Sequence, residues 1–336
     1  MELSNMKISV IITCYNYEQY ISEAIDSFLK QDCINKELIV VDDCSVDNSS
    51  DIIISYGDVL TPVLKNINQG HGAAFNSGFE KATGDLIMFL DADDYLLSGS
   101  LQEAVNNYQK GVSLYQYRTI LVDEGRKDFG IFPVRTQSWN TECAKKNVLR
   151  YGRYQTSVTS GMVYNRSFLE KVLPMNEEDF RQGGDGYLAI LAPLYGSIQS
   201  FEHLLSGYRQ HGSNHSGFSL DVLKQAKWRI SHDLYRYKYL KDHAKKNGEP
   251  FRDSYEDYDI YHLESRMCVA LFDSGNSRKR FRLVLKALAS LKMIKGFKYK
   301  MKLGVWWFFL LLPVRTARKI YLWKTVPASR LWRLKK

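Results

Sequence analysis

The residues with the clearest chemical use lie in the stretch DLIMFLDADD, Asp85 to Asp94. Five apolar residues, Leu86 to Leu90, read as a buried strand of a parallel sheet, and the run stops abruptly at Asp91, Asp93 and Asp94 around a small Ala92. Three carboxylates this close repel one another unless a cation lies among them. Hard oxygen donors of this kind suit Mg²⁺ or Mn²⁺ carrying a phosphorylated ligand. The same acidic turn also fits a solvated loop in which Asp94 caps the next helix, so the preceding residues must decide between the two.

Those residues alternate between two periods. Lys7 to Thr13 is a β-branched run that predicts a first strand ending at Cys14-Tyr15-Asn16-Tyr17, and Ile21, Ala24, Ile25, Phe28 and Leu29 then recur at helical spacing. Glu37 to Val41 predicts a second strand, closing on a polar cluster from Asp42 to Ser49 ahead of a short helix at Asp51 to Tyr56. A third strand is expected near Pro62 to Lys65. Asn68-Gln69-Gly70-His71-Gly72 then opens a helix through Asn76, Phe79 and Ala82, with Gly84 expected as its C-cap. This alternation predicts a doubly wound, mainly parallel sheet flanked by helices, which binds ligands beyond the carboxyl ends of its strands. The polar clusters after strands one, two and four therefore meet at one edge. The first turn, TCYNYE, is neither GxGxxG nor GxxxxGK[ST], so phosphates at that edge are held mainly by metal and not by a glycine cradle.

Further along, a helix is expected over Ser100 to Gln109 and a strand over Val112 to Val122, followed by a polar, irregular stretch from Asp123 to Asn147. Thr156 to Tyr164 reads as a strand entering the site, with Gly161 permitting close approach of backbone to ligand. Asp185 sits between Gly184 and Gly186 ahead of an apolar helix, Ala189 to Leu194. A carboxylate so placed is exposed yet positioned, as a general base must be, although an N-cap has the same look.

Together, VIITCYNYEQYISEAIDSFLKQ, ELIVVDDCSVDNS and NQGHGAAFNSGFEKATGDLIMFLDADD resemble the nucleotide-sugar-binding half of an inverting family 2 glycosyltransferase with the GT-A fold, over roughly residues 7 to 218. The resemblance implies that Thr13 and Tyr15 meet the base and its ribose and that Asp42 accepts from the imide N–H of a uracil-type ring. It places Asp91 near the ribose and metal, Asp93 on the metal that bridges the phosphates, and Asn68 and His71 in the donor pocket. Where many relatives carry an acidic pair, this chain has Gly184-Asp185, which leaves Asp185 as the base candidate. Gly207 to Ser216 resembles the family's YRxHGxN segment, implying that His211 completes the metal sphere or touches the diphosphate and that Arg209 neutralises phosphate charge. The implied reaction moves a sugar from a nucleotide diphosphate, preferably uridine-linked, to a hydroxyl of a glycan or lipid-linked acceptor, with a divalent ion and no covalent enzyme intermediate. Two other classes compete. A catalytically inert sugar-nucleotide-binding scaffold would not need Asp91, Asp93 and Asp185 together, and a nucleotidyltransferase would carry a glycine-rich, basic phosphate loop near its start.

The 336 residues allow one large domain with an appendage, read here as a catalytic domain over 1–218, a helical extension over 219–277 and a basic tail over 278–336. Five scattered cysteines without a CxxC pair read as free thiols in a reducing compartment. The beginning, MELSNMKISVIITCY, lacks the pattern of a secretory leader. The net charge of +9 is unevenly spread: residues 278–336 hold 18 Lys and Arg and no Asp or Glu, while the first 277 residues hold 28 basic against 37 acidic side chains. Within that tail, Val305 to Val314 is an apolar run too short to span a bilayer, since ten helical residues reach only about 15 Å. Trp306, Trp307, Trp323 and Trp332 amid Lys and Arg fit a membrane interface. The expectation is therefore peripheral attachment of a cytoplasmic protein to the anionic inner leaflet, close to a lipid-linked acceptor. A nucleic-acid-binding tail would explain the charge but not the apolar run, and an ordinary packed helix pair remains a third reading.

Overall fold

The computed structural model describes residues 5–134, 141–211, 221–274, 277–290 and 297–325. Gly212 to Ser216, Trp332 and part of the irregular stretch after Asp123 lie outside the described residues. The chain divides into one unit comprising Met1–Val148, Tyr154–Gln210 and Asp242–Glu249, and a second comprising Leu149–Arg153, His211–Lys241 and Pro250–Lys336.

Apolar runs produce the strands of the first unit where they were predicted: β1 (Ile8–Cys14), β2 (Lys36–Asp42), β3 (Thr61–Leu64) and β4 (Leu86–Asp91). They pair in parallel in the order β3-β2-β1-β4, linked by α1 (Ile21–Leu29), α2 (Ser49–Ser55) and α3 (His71–Lys81). Every residue of β1 is buried, as a central strand covered on both faces requires. Helix α1 presents Ile21, Ala24, Ile25 and Phe28 to the same core that holds Val10, Ile12, Val40, Met88 and Leu90.

β5 (Tyr95–Leu96), α4 (Ser100–Asn106), β6 (Val112–Val122), β7 (Asp128–Phe132), α5 (Ala144–Tyr151), β8 (Met162–Asn165), α6 (Arg166–Val172), α7 (Gly184–Tyr195) and β9 (Ser197–Arg209) follow. β8 runs antiparallel to both β4 and β6, β9 is parallel to β6, and β5 is antiparallel to β9. The sheet of the described residues is thus mixed, with order β3-β2-β1-β4-β8-β6-β9-β5 and β7 on β6. This is the GT-A layout: a mostly parallel nucleotide-binding half joined to a mixed second half.

Four local expectations need correction. Helix α3 does not end on a glycine C-cap: Ala82 is already extended, and Arg166 caps the exit by donating to the carbonyls of Ala82 and Gly84 at 2.6 Å each. Gly84 is instead required by close packing, since a Cβ there would lie 2.5 Å from Ser9 Oγ. Thr156 to Tyr164 is not one strand: Thr159–Gly161 is a tight helical turn and only Met162–Asn165 pairs. A Cβ on Gly161 would lie 2.9 Å from the Tyr117 carbonyl, so packing against the sheet already requires that glycine. Finally, the stretch from Asp123 to Asn147 holds β7 and the start of α5, and is less irregular than its polar composition implies.

The second unit is helical, with α8 (Val222–Lys246) up to Lys241, then α9 (Ile260–Val269), α10 (Ser277–Ser290), α11 (Phe297–Phe309) and α12 (Val314–Thr325). Leu263, Met267, Leu271, Leu283, Val284, Trp307 and Leu310 form its apolar core. A buried ion cluster adds specificity: Arg153 donates to Asp233 at 2.7 Å and to Asp259 at 2.6 Å, and Asp259 also caps α9. Burial opposes ionisation of Asp233, yet Arg153, His262 and Arg236 together hold its carboxyl below the usual range. The Val305 to Val314 run is not a single helix, because α11 ends at Phe309 and Pro313 precedes α12. Among the described residues, no helix is long and apolar enough to cross a membrane.

Candidate active site

Parallel register brings the polar strand ends to one edge. Thr13 lies opposite Asp91, and Cys14 opposite Asp42, so the residues expected for base, ribose and metal share the carboxyl rim of β1, β2 and β4. The two loops above that rim are laced together. Asn16, held at φ 58, accepts from Val46 N–H at 2.8 Å and donates its own N–H to Ser45 Oγ at 2.9 Å. Glu18 accepts from Asn48 N–H at 2.8 Å, and Ser49 Oγ accepts from Tyr17 N–H at 3.1 Å. Tyr15 is 44% exposed at the mouth, where a flat ring is available for stacking. Asp42 is buried and accepts from Ser45 N–H at 3.0 Å and from the hydroxyls of Ser45 and Ser50, which fixes its carboxylate.

At the end of β4, one oxygen from each of Asp91, Asp93 and Asp94 lies within 4.8 Å of the others. Asp94 is no helix cap. Its carboxylate is fully buried, accepting from Ser160 Oγ at 2.5 Å and from Arg209 N–H at 2.8 Å. Burial, then the charges of Asp93 and Asp91, push its pKa well above the carboxylate range. Tyr17 bonds to Asp93 and its phenol is raised by burial and by the three aspartates, a contact the sequence reading missed. Concentrated negative charge with hard oxygen donors fits Mg²⁺ or Mn²⁺, and Asp91 and Asp93 would hold it, Asp91 being the half-exposed member.

His71, the first residue of α3, joins this turn to Asp185. Its Nδ1 accepts from Gly184 N–H at 3.3 Å, which leaves the proton on Nε2, 3.4 Å from Asp91 Oδ1. Burial would lower the His71 pKa, but Asp91 foremost, then Asp185 and Asp43, raise it. The backbone repeats the link: His71 N–H donates to Arg181 O at 2.8 Å and Gly72 N–H to Phe180 O at 3.0 Å. Gly70 makes this approach possible, since at φ +92 a Cβ would lie 2.2 Å from Arg181 O. Asn68 accepts from the Arg181 guanidinium at both its backbone and side-chain oxygens. Asp185 stands in the first turn of α7, half-buried, with left-handed Gly183 at the N-cap, so it is not the cap itself. Asp43, also passed over in the sequence, anchors the other side of this loop by accepting from Gln69 and Gly70 N–H and pairing with Lys65. An acidic residue next to Asp42, six places before α2, gave no sequence signal of that task.

Arg209 has a different place from the one expected. Only 1% exposed, it donates to the Asp93 carbonyl at 2.8 Å, the Glu124 carbonyl at 2.9 Å and the Glu23 carboxylate, and lies over the Tyr20 ring. Its guanidinium therefore fastens the acidic turn from behind. His211 is buried and begins the His211–Lys241 segment of the second unit; its role as a metal ligand rests on the sequence resemblance alone.

The fold and the rim of the site define a nucleotide-sugar-binding domain of the GT-A type. Residues 9–173 match the family described as glycosyl transferase family 2, and the chain carries a domain of that family. An uncharacterized glycosyltransferase of Nostoc is 36% identical over 213 residues, covering 62% of this chain and 66% of that protein. The poly(ribitol-phosphate) beta-N-acetylglucosaminyltransferase TarS of Staphylococcus aureus is 38% identical over 104 residues, covering 30% of this chain and 18% of TarS. The matched segments thus span less than two thirds of these relatives. Crystal structures of TarS residues 1–349, alone and with UDP-GlcNAc, superpose with TM-scores of 0.57 and 0.56 at 17% identity, covering 95% of this chain and 91% and 92% of those chains. This likeness is one of fold.

Proposed function

We propose that the protein is an inverting glycosyltransferase that moves a sugar from a UDP-linked donor to a hydroxyl of a glycan or lipid-linked acceptor. The observation that carries this reading is the His71 bridge. One imidazole touches the metal-type carboxylate Asp91 and the backbone one residue before Asp185, so an acidic phosphate-facing turn and a separate carboxylate adjoin one crevice. TarS, whose name gives a beta-N-acetylglucosaminyl transfer and which has been crystallised with UDP-GlcNAc, supports a uridine donor.

In this mechanism Tyr15 stacks on the base, Thr13 lies beside the ribose, and the fixed Asp42 carboxylate accepts the imide N–H. Asn68 and His71 line the donor pocket. Asp185 takes the proton of the acceptor hydroxyl as that oxygen attacks the anomeric carbon from the side opposite the diphosphate. The new C–O bond forms as the bond to phosphate breaks, and the nucleoside diphosphate leaves with the electron pair. Asp91 and Asp93 would hold a divalent ion, which when bound would supply positive charge against the charge developing on that leaving group. His71, protonated at Nε2, holds Asp91 in orientation.

The test is a panel of sugar nucleotides with Mn²⁺ or Mg²⁺, read as donor hydrolysis without acceptor and as transfer with polyol or glycan acceptors. Asp185→Asn is expected to lower turnover by about 10³-fold or more while UDP binding stays within a few fold. Asp93→Asn is expected to abolish the metal dependence of UDP binding. Turnover retained in Asp185→Asn removes that residue from its role, and a chain that binds UDP but transfers and hydrolyses nothing favours the inert scaffold.

A further inference from the structure

The helices of the second unit carry two apolar stripes, and only one of them is used. On α10, Leu283, Val284 and Ala287 face the core, whereas Phe281, Leu285 and Leu288 recur at i, i+4 and i+7 on the outside, Phe281 being 52% exposed. Helix α11 repeats the arrangement. Trp306, Trp307 and Leu310 are buried, while Met301, Val305 and Phe308 form an outer stripe at the same spacing, Phe308 being 65% exposed. On α12 the indole of Trp323 is also exposed, on the face that carries Lys319 and Arg315 four and eight residues earlier. Scattered exposed apolar residues are ordinary, but two stripes in helical register call for a partner.

The surrounding charge selects it. Some cations of the tail are structural: Arg280 donates to the carbonyls of Leu310 and Leu312, Arg318 to those of Leu271 and Phe272, and Lys286 pairs with Asp257. Arg278 and Arg282, exposed on the flank of the α10 stripe, and Arg315 and Lys319 on α12 point to no such task. No acidic side chain occurs from Arg278 to Lys336, so a second copy of this surface would meet like charge. A nucleic acid would satisfy the cations and leave the stripes wet. The helices, 14, 13 and 12 residues long, reach only about 18–21 Å, short of the roughly 30 Å hydrocarbon core. We propose that α10 to α12 form a docking surface for anionic lipid, lying in the headgroup plane with the outer stripes sunk into the acyl boundary and the basic residues against the headgroups. This surface is independent of the sugar chemistry assigned to the first unit.

The full-length chain is sedimented with vesicles of phosphatidylcholine alone and of phosphatidylcholine mixed with phosphatidylserine. Binding to the mixed vesicles is expected to exceed binding to the neutral ones by at least about tenfold and to weaken with salt, since each basic residue at the surface adds roughly fivefold to partitioning. Phe281→Asp, Leu285→Asp and Phe308→Asp combined are expected to remove that binding while leaving the melting temperature and UDP affinity unchanged. Arg278→Glu with Arg282→Glu should reduce it and leave folding intact. Equal binding to both vesicles, no binding to either, equal affinity for duplex DNA, or a concentration-dependent dimer dissolved by the triple variant would each overturn the proposal.

Discussion

Arg209→Met removes a guanidinium and keeps most of the side-chain volume, so its effect separates fastening the acidic turn from binding phosphate. The Asp93 and Glu124 carbonyls each lose a donor, worth about 1–1.5 kcal/mol apiece. Glu23 loses one of two cations but keeps Arg126 at 2.9 Å, which limits that loss to roughly 1–2 kcal/mol. The stacking over Tyr20 at 4.9 Å adds about 0.5–1 kcal/mol. These losses amount to roughly 3.5–6 kcal/mol, and the expected destabilisation lies in the lower part, about 4 kcal/mol, as found for breaking a buried pair from one side. For a unit of this size each kcal/mol shifts the melting temperature by about 2–4 °C, which gives a fall of roughly 8–16 °C. The assay is thermal and urea unfolding of the protein without nucleotide, beside UDP titration calorimetry. A melting temperature within about 2 °C of the parent, together with UDP affinity reduced tenfold or more, would refute the positioning role and return Arg209 to the phosphates.

Two further outcomes follow from the geometry. Gly70→Ala puts a Cβ against the Arg181 carbonyl in a left-handed backbone, so a loss of at least about 2 kcal/mol is expected in the unfolding free energy from urea titration; a change under about 0.5 kcal/mol would sever the proposed tie between α3 and the loop before Asp185. Glu37 is opposed by burial, yet Lys7, Ser9 and Thr83 hold its carboxyl down at about 2, below the ordinary 4.5. A depressed folded pKa gives stability that is present above about pH 4.5 and lost as pH falls towards 2, so Glu37→Gln should be less stable at neutral pH and show a flatter acid limb over that window in stopped unfolding experiments at graded pH.

Much of the donor half was legible because its strands are buried on both faces and read as unbroken apolar runs, as in Ile8–Cys14 and Leu86–Asp91. Parallel topology then places their polar ends on one rim, so Thr13, Asp42 and Asp91 could be grouped without coordinates. The second half was less legible. β9 runs from Ser197 to Arg209 with a mixed burial pattern and pairs in register-shifted fashion with β6, which disguises it as polar loop. Arg209 looked like a phosphate ligand because type and neighbours describe the residue, whereas its job is set by Glu23, 186 positions earlier. The pairs that fix His71 and Asp94 are similarly remote in sequence, with Gly184 113 positions from His71 and Arg209 115 from Asp94. Local pattern carries no trace of such partners.

The burial of Asp94 has a consequence for anyone who would rebuild this scaffold. The acidic turn is not a cassette: its innermost carboxylate is clamped by Ser160 from the approach to β8 and by the last residue of β9, two segments that belong to the mixed second half of the sheet. A chimaera that transplants DLIMFLDADD alone would import the acidic cluster and leave its clamp behind. Exchanging donor halves between relatives therefore calls for crossover points that carry the Ser160 and Arg209 segments along with the turn.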